Sequence, residues 1–198
     1  MSATTVADAQ AVAPAHSHTS SDSTEVSAPS HTFDLARRSV VIRPLRHSDC
    51  APLEWHGGGD LRAFYEQQWS RHQREELAVL IACFNGYPCG QAAVHWDGKP
   101  THPGLPDIQS VRVHPAFRGQ GVGSHLLAGC ERLAAARGFH SISLSVGTEN
   151  APARRLYERH GYRVVATPYL DVWHYSNAAG ATVQVEELVW DMLKSLDR

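Results

Sequence analysis

The chain has 198 residues, 42% of them apolar, with a formal net charge of −2 and a pI near 6.7. That length suits one domain plus a tail, and the near-neutral balance supplies no general attraction to nucleic acid or anionic membrane, which sets both aside as partners. Cys50, Cys83, Cys89 and Cys130 form no CxxC pair and no zinc-ligand spacing, and three of them lie in apolar runs, so they read as reduced thiols of a cytoplasmic protein.

Residues 1–32 are rich in Ala, Ser, Thr and Pro and contain no Lys, Arg or aromatic residue. Such a composition cannot bury enough apolar surface to fold, which predicts a disordered tail over 1–32 and a folded domain over 33–198. The stretch has neither the basic start of a secretory signal nor the Arg-rich composition of a transit peptide, and no later segment is apolar enough to span a bilayer. His16 and His18 have no further ligands beside them, so no metal is expected.

Regular structure is expected from Ser39, where SVVIRPL reads as a strand. An amphipathic helix follows, with Asp60 as N-cap and Leu61, Phe64, Tyr65, Trp69 and His72 near one face. LAVLIACF, the turn NGYP and CGQAAVHW predict a hairpin, and DIQSVRVH a third strand after a Pro/Gly-rich loop. Residues 121–137 carry Leu126, Cys130, Leu133 and Ala134 on one helical stripe, with Gly138 just past its end. HSISLSV is the next strand. Asn150 then caps a short helix that stops before Gly161, and YRVVAT and VQVEELVWDML read as closing strands. In DIQSVRVH the apolar positions Ile108, Val111 and Val113 break strict alternation, and a bulge would repair the register.

The glycine-rich corner VHPAFRGQGVGSHLL joins a strand to a helix. There, backbone N–H groups converge beside the positive end of the helix dipole, and glycines permit positive φ and close approach of an anion, which suits phosphate. Gly119, Gly121 and Gly123 are spaced GxGxG, which is neither the dinucleotide fingerprint nor a Walker loop. Arg118, Gly121 and Gly123 instead fit (Arg/Gln)-x-x-Gly-x-(Gly/Ala). Asn150, Ala153, Tyr157, Gly161 and Tyr162 fit Asn-x-x-Ala-x-x-x-Tyr-x-x-x-Gly-(Phe/Tyr). In these two motifs the chain resembles the GNAT superfamily of N-acetyltransferases, strongly over 107–165 and in element order over 39–166.

The resemblance implies an α/β fold with a mixed, mostly antiparallel central sheet flanked by helices and splayed at the acetyl-CoA strand. It implies acetyl-CoA as co-substrate, with its pyrophosphate on the backbone of Arg118, Gly119, Gln120, Gly121, Val122, Gly123 and Ser124. The bulged strand then offers the backbone of Val111 and Val113 to the CoA arm, with the Val113 N–H toward the thioester carbonyl. Asn150 touches the arm as well as capping its helix, and Tyr157 becomes the acid for the departing thiolate. Cys130, mid-helix on the apolar stripe, gives no support to an acyl-cysteine step, so direct transfer in a ternary complex is expected.

An amine near the lysine reference pKa of about 10.4 is protonated at neutral pH and needs a proton acceptor. Where family members place an acid near Gln109 this chain has Gln. That leaves Asp107, Glu149, His114 or a water chain, of which Asp107 is the expected base. Trp55, Tyr65 and Trp69, with Trp173 and Tyr175 later on, suit a cationic acceptor and equally suit a core. The expected acceptor is a small-molecule primary amine. A protein N-acetyltransferase and a non-catalytic acyl-CoA-binding module are the alternatives, and a homodimer is left open.

Overall fold

The computed structural model describes residues 30–35, 38–53, 62–176 and 181–197. Asp60, Leu61, Trp55, the NAAG turn and residues 1–29 of the expected tail lie outside the described residues.

A strand not anticipated from the sequence opens the fold. β1 (His31–Leu35) pairs antiparallel with β2 (Arg38–Pro44), so the sheet begins eight residues ahead of Ser39 and takes in His31 and Thr32. Helix α1 (Arg62–Gln73) buries Tyr65 and His72 as its pattern requires, while Phe64 stands 36% exposed. β3 (Leu77–Phe84) and β4 (Tyr87–His95) form the expected hairpin around Asn85 and Gly86, both at positive φ. β3 is apolar throughout because both faces are covered. Leu80 and Ala82 join one core cluster, and Val79, Ile81 and Cys83 join the other with Tyr65 of α1.

Within the Pro/Gly-rich loop sits a two-rung hairpin, β5 (Gly98–Lys99) and β6 (His102–Pro103), whose strands are too short to leave a sequence signal. β7 (Asp107–Val113) returns beside β4. Helix α2 (Val122–Ala136) buries Val122, Leu126, Leu127, Cys130 and Ala134 against that sheet and ends at Gly138, φ +85. β8 (Ser141–Gly147) and helix α3 (Ala151–Arg159) follow. The strand expected over YRVVAT shrinks to β9 (Arg163–Val164). β10 (Tyr169–Ser176) and β11 (Thr182–Ser195) form the long closing hairpin.

The main sheet runs β1-β2-β3-β4-β7-β8-β11-β10, with β9 beside β11. Among the described residues every pair is antiparallel except β7–β8, which makes the fold a mixed, mostly antiparallel α/β sheet with helices on its faces. That exception is brief. β7 and β8 pair only at Asp107↔Ser143 and Ile108↔Leu144, after which the strands part and leave a fork between the two halves of the sheet.

Candidate active site at the strand fork

The fork has a local cause. In the β4–β7 register Gln91 faces Arg112 and Ala93 faces Gln109, so Ala92 stands opposite both Ser110 and Val111. Ser110 is the extra residue and sits at φ +54, in the left-handed region. This is the bulge that the Ile108–Val111–Val113 spacing calls for, and a bulge bends its strand and strengthens the twist. The bend carries Val111 and Val113 away from β8.

The polarity of the fork follows from hydrogen-bond alternation. His114 N–H donates to Cys89 O at 2.9 Å. In an antiparallel ladder the neighbouring residue then turns its N–H and C=O to the other edge. The Val113 backbone thus faces the fork, and its carbonyl accepts from Arg118 Nε at 3.0 Å. Arg118 is thereby tied to the strand end, and its side chain braces the loop as well as bearing charge.

Beyond Arg118 the loop turns at Gly119, φ +72, and Gly121, φ +85, the N-cap of α2. The first intrahelical bond is His125 N–H to Gly121 O, so the N–H groups of Val122, Gly123 and Ser124 have no acceptor within the helix. The first turn holds no acidic residue. Gln120 Nε2 donates to Ala116 O at 2.8 Å, closing the loop on itself. Three outward N–H groups at a helix N-terminus fit a phosphate group.

The three glycines fill two different roles. A Cβ on Gly119 would meet nothing within 4 Å and one on Gly121 only His125 Cδ2 at 3.9 Å, so these two are required for their positive φ. A Cβ on Gly123 would come 3.3 Å from Leu156 Cδ2 and 3.8 Å from Val113 Cγ2. Gly123 therefore lets α2, β7 and α3 approach, and its absent side chain makes room for Leu156 instead of for an anion.

Asn150 Oδ1 accepts from Ala153 N–H at 3.2 Å, which is the capping role read from the sequence. On the same helix Tyr157 is 7% exposed, and burial pushes its hydroxyl up to about 12. It keeps its proton at neutral pH. Glu149 is exposed, and His114 Nδ1 is occupied by Ala116 N–H at 3.2 Å as the cap of a short 3-10 turn.

Asp107 stands where the fork closes, 2% exposed. Its carboxylate accepts from Ser143 Oγ at 2.7 Å and Gln109 Nε2 at 3.1 Å. Lys99, brought by the short hairpin, places Nζ 3.5 Å from Asp107 Oδ1 and 2.5 Å from Asp191 Oδ1, and also donates to Ser145 Oγ. Asp191 on β11 further accepts from Ser145 Oγ at 2.9 Å and Tyr169 OH at 3.1 Å, with His102 Nε2 3.2 Å from its other oxygen. Burial by itself would raise the Asp191 carboxyl, but the Lys99 ammonium and the hydroxyls around it hold it below its usual value.

Lys99, Asp191, Ser145, Tyr169 and His102 escaped the sequence reading. They converge from separate strands, Lys99 and Asp191 being 92 residues apart, and no local spacing reports such a meeting.

Residues 45–162 match the acetyltransferase (GNAT) family. The chain belongs to that family. It is 29% identical over 113 residues to an uncharacterised N-acetyltransferase of Methanocaldococcus jannaschii, covering 53% of this chain and 50% of that protein. To the aminoalkylphosphonate N-acetyltransferase of Salmonella typhimurium it is 34% identical over 84 residues, 42% of this chain and 54% of that one. To the mycothiol acetyltransferase of Mycobacteroides abscessus it is 33% identical over 127 residues, 59% and 40%. The chain thus spans about half the length of the curated relatives it matches. Among solved structures, an acetyltransferase of Salmonella typhimurium with acetyl-CoA bound superposes with a TM-score of 0.61 at 22% identity, over 80% of this chain and 95% of that one. An N-acetyltransferase of Staphylococcus aureus gives 0.64 at 15% identity, over 80% and 99%. Likenesses at these identities speak to the fold.

Proposed function

We propose that this chain transfers an acetyl group from acetyl-CoA to a primary amine of a small molecule, directly and in a ternary complex. The observation that carries the reading is the fork. An unpaired stretch of β7 backbone faces a gap whose far end meets the N–H groups of a Gly121-capped helix. An extended, amide-bearing chain ending in phosphate has the matching polarity. Two curated relatives are named for the acetylation of an aminoalkylphosphonate and of a mycothiol compound, which supports a small acceptor.

The residues divide the work as follows. The N–H groups of Val122, Gly123 and Ser124 hold the pyrophosphate, with Arg118 and the Gly119–Gly121 turn shaping the cradle. Val111 and Val113 pair with the pantetheine arm, and Asn150 flanks it. The Val113 N–H donates to the thioester oxygen as negative charge develops there, a contribution worth about 10²–10³ in rate for a positioned donor. Asp107 accepts the proton of the incoming amine. Tyr157, kept protonated by its burial, gives its proton to the departing thiolate. The fully buried Cys130, its thiol pushed up by desolvation, is a packing residue.

All four cysteines are free and buried, which supports a reducing compartment, the cytoplasm. Among the described residues no helix is long and apolar enough to cross a membrane.

The test is a free-thiol assay with acetyl-CoA and a panel of small amines, diamines and peptide N-termini. Amine-dependent thiol release, with small amines preferred, is expected. Tight acetyl-CoA binding without release for any acceptor would leave a binding module in place of an enzyme.

A further inference from the structure

The edge strand β1 is fastened to α2 through two of its side chains. His31 and Phe33 turn toward the helix, while Thr32 between them is exposed. On α2, His125, Gly129 and Arg132 stand at i, i+4 and i+7 and so form one stripe beneath β1. Phe33 stacks on the His125 ring, 3.6 Å between centroids and 12° from parallel. A Cβ on Gly129 would overlap Leu80 Cδ1 and come 3.5 Å from His31 Cε1, so the His31 ring lies against bare helix backbone. Arg132 Nη2 stands 2.8 Å from His31 Nδ1 and 3.2 Å from its Nε2.

That last contact admits only one protonation state of the ring. A guanidinium has donors and no acceptor, so the imidazole must offer it a lone pair. An imidazolium, with N–H on both nitrogens, has none. Around the ring, β2 presents Ile42, its ladder partner, and β3 presents Leu80, both apolar. The charged and titratable groups that act on it are Arg132 and His125 of α2, the two imidazole centroids being 6.0 Å apart. His125 also acts on His160 of α3, while Glu131, next to Arg132, is held by Lys194 of β11 and Arg43 of β2 is held by Asp49. Burial, the Arg132 guanidinium and the His125 ring keep the His31 pKa below the ordinary 6.5, against a raising effect of the His125 backbone.

We propose that β1 is an acid-released strap with His31 as its catch: a proton on His31 opposes Arg132 and His125 and frees His31–Leu35 from α2 and β2. The device is separate from the acetyl-transfer reading. Its release leaves β2 as the edge of the sheet, with a row of backbone groups unpaired. It also uncovers the His125 ring, and His125 is the residue whose N–H closes the first turn of α2 on Gly121. The ring is neutral when fastened, so the fastening is complete above the ordinary value and is lost as pH falls below it. One proton taken up on opening raises the open population by at most about tenfold per pH unit.

The experiment measures amide exchange of the full chain from about pH 7.5 to 5.5, with intrinsic rates divided out. Residues 31–35 should exchange ahead of β3 and β4 throughout, and their protection should fall at least about fivefold over that range. His31→Gln offers Arg132 a carbonyl oxygen and cannot take the charge, so it should flatten most of that fall. An NMR titration of the His31 ring in the parent chain needs no variant, and a pKa below the ordinary value is expected. The strap is overturned by protection of β1 that does not change with pH, by a fall as steep in His31→Gln as in the parent, by β1 and β3 exchanging at one common protection, or by a His31 pKa at or above the ordinary value.

Discussion

Leu156 Cδ2 lies 3.3 Å from the point a Cβ on Gly123 would occupy, so α3 rests on the second residue of α2 and would have to give slightly to admit a methyl group. Because the neighbour is the flexible end of a leucine, Gly123→Ala should be tolerated at a cost of about 1 kcal/mol. Gly123→Val should cost about 1–3 kcal/mol through overpacking. Gly121→Ala acts by another route, forcing an alanine to φ +85 at about 1–2 kcal/mol in open space. Calorimetry with acetyl-CoA and thermal melts separate the two. Gly121→Ala should weaken binding more than its loss of stability explains, since the turn it distorts aims the N–H groups.

Ser110 at φ +54 makes the bulge, and its strain is held by the ladder on either side. Ser110→Val places a β-branched residue in the left-handed region and should lower stability by about 1–2 kcal/mol. It should also raise the KM for acetyl-CoA, as the strand relaxes toward β8. Ser110→Gly should keep both values within a few-fold of the parent. A normal KM in the valine variant would remove the bulge from the account of binding.

Tyr157→Phe keeps the ring in the core and deletes only the hydroxyl. For a proton donor to the thiolate, kcat should fall by about 10²–10⁴ with little change in the KM for acetyl-CoA. A purely packing tyrosine predicts unchanged kcat and a stability loss of about 1 kcal/mol. Kinetics and denaturation on the one variant decide.

His72, 2% exposed, accepts the Val79 N–H on Nδ1 at 3.3 Å. Its pKa lies below the ordinary 6.5, because burial outweighs the smaller raising effects of the Leu77 backbone and Glu75. The neutral ring is the one that folds. The stability it contributes is complete above the unfolded value and declines as pH falls below it, where the unfolded chain binds the extra proton. Melting temperature should therefore drop between about pH 7.5 and 5.5. His31, His95, His125 and His160 are lowered as well and add to the slope. His72→Leu should flatten the profile in part. An unchanged slope would mean that His72 binds its proton equally in the folded and unfolded states.

Removing residues 1–29 should leave melting temperature and turnover unchanged, as their polar, aromatic-free composition leads one to expect. Removing residues 1–35 deletes β1, whose Phe33 stacks on His125 at 3.6 Å between ring centroids. That truncation should lower the melting temperature, and equal melts for the two would show that β1 adds nothing.

The sequence exposed what local spacing can encode. The bulge showed in the misplaced Val111, the turn into α2 in Gly119 and Gly121, and the α3 cap in Asn150, because each depends on neighbours along the chain. β1 was hidden by its shortness, and the β5–β6 hairpin by strands of two residues within a Pro/Gly loop. The Lys99–Asp191 pair depends on β11 lying beside β8, a consequence of the finished sheet that neither residue's neighbours foreshadow. The close approach of Leu156 to Gly123 was not legible either, since it arises only after α3 has docked.

The two-rung contact between β7 and β8 also bears on how the molecule opens. A sheet joined in the middle by Asp107↔Ser143 and Ile108↔Leu144 behaves as two panels sharing a short hinge, with the core under α2 as the other tie. Amide exchange in the β8–β11–β10 panel can then run ahead of exchange in β2–β3–β4 without global unfolding. A ligand laid along the fork would supply the missing rungs and splice the panels into one cooperative unit. Acetyl-CoA should accordingly slow exchange in both panels together, and the protein would be most nearly a single folding unit when its substrate is in place.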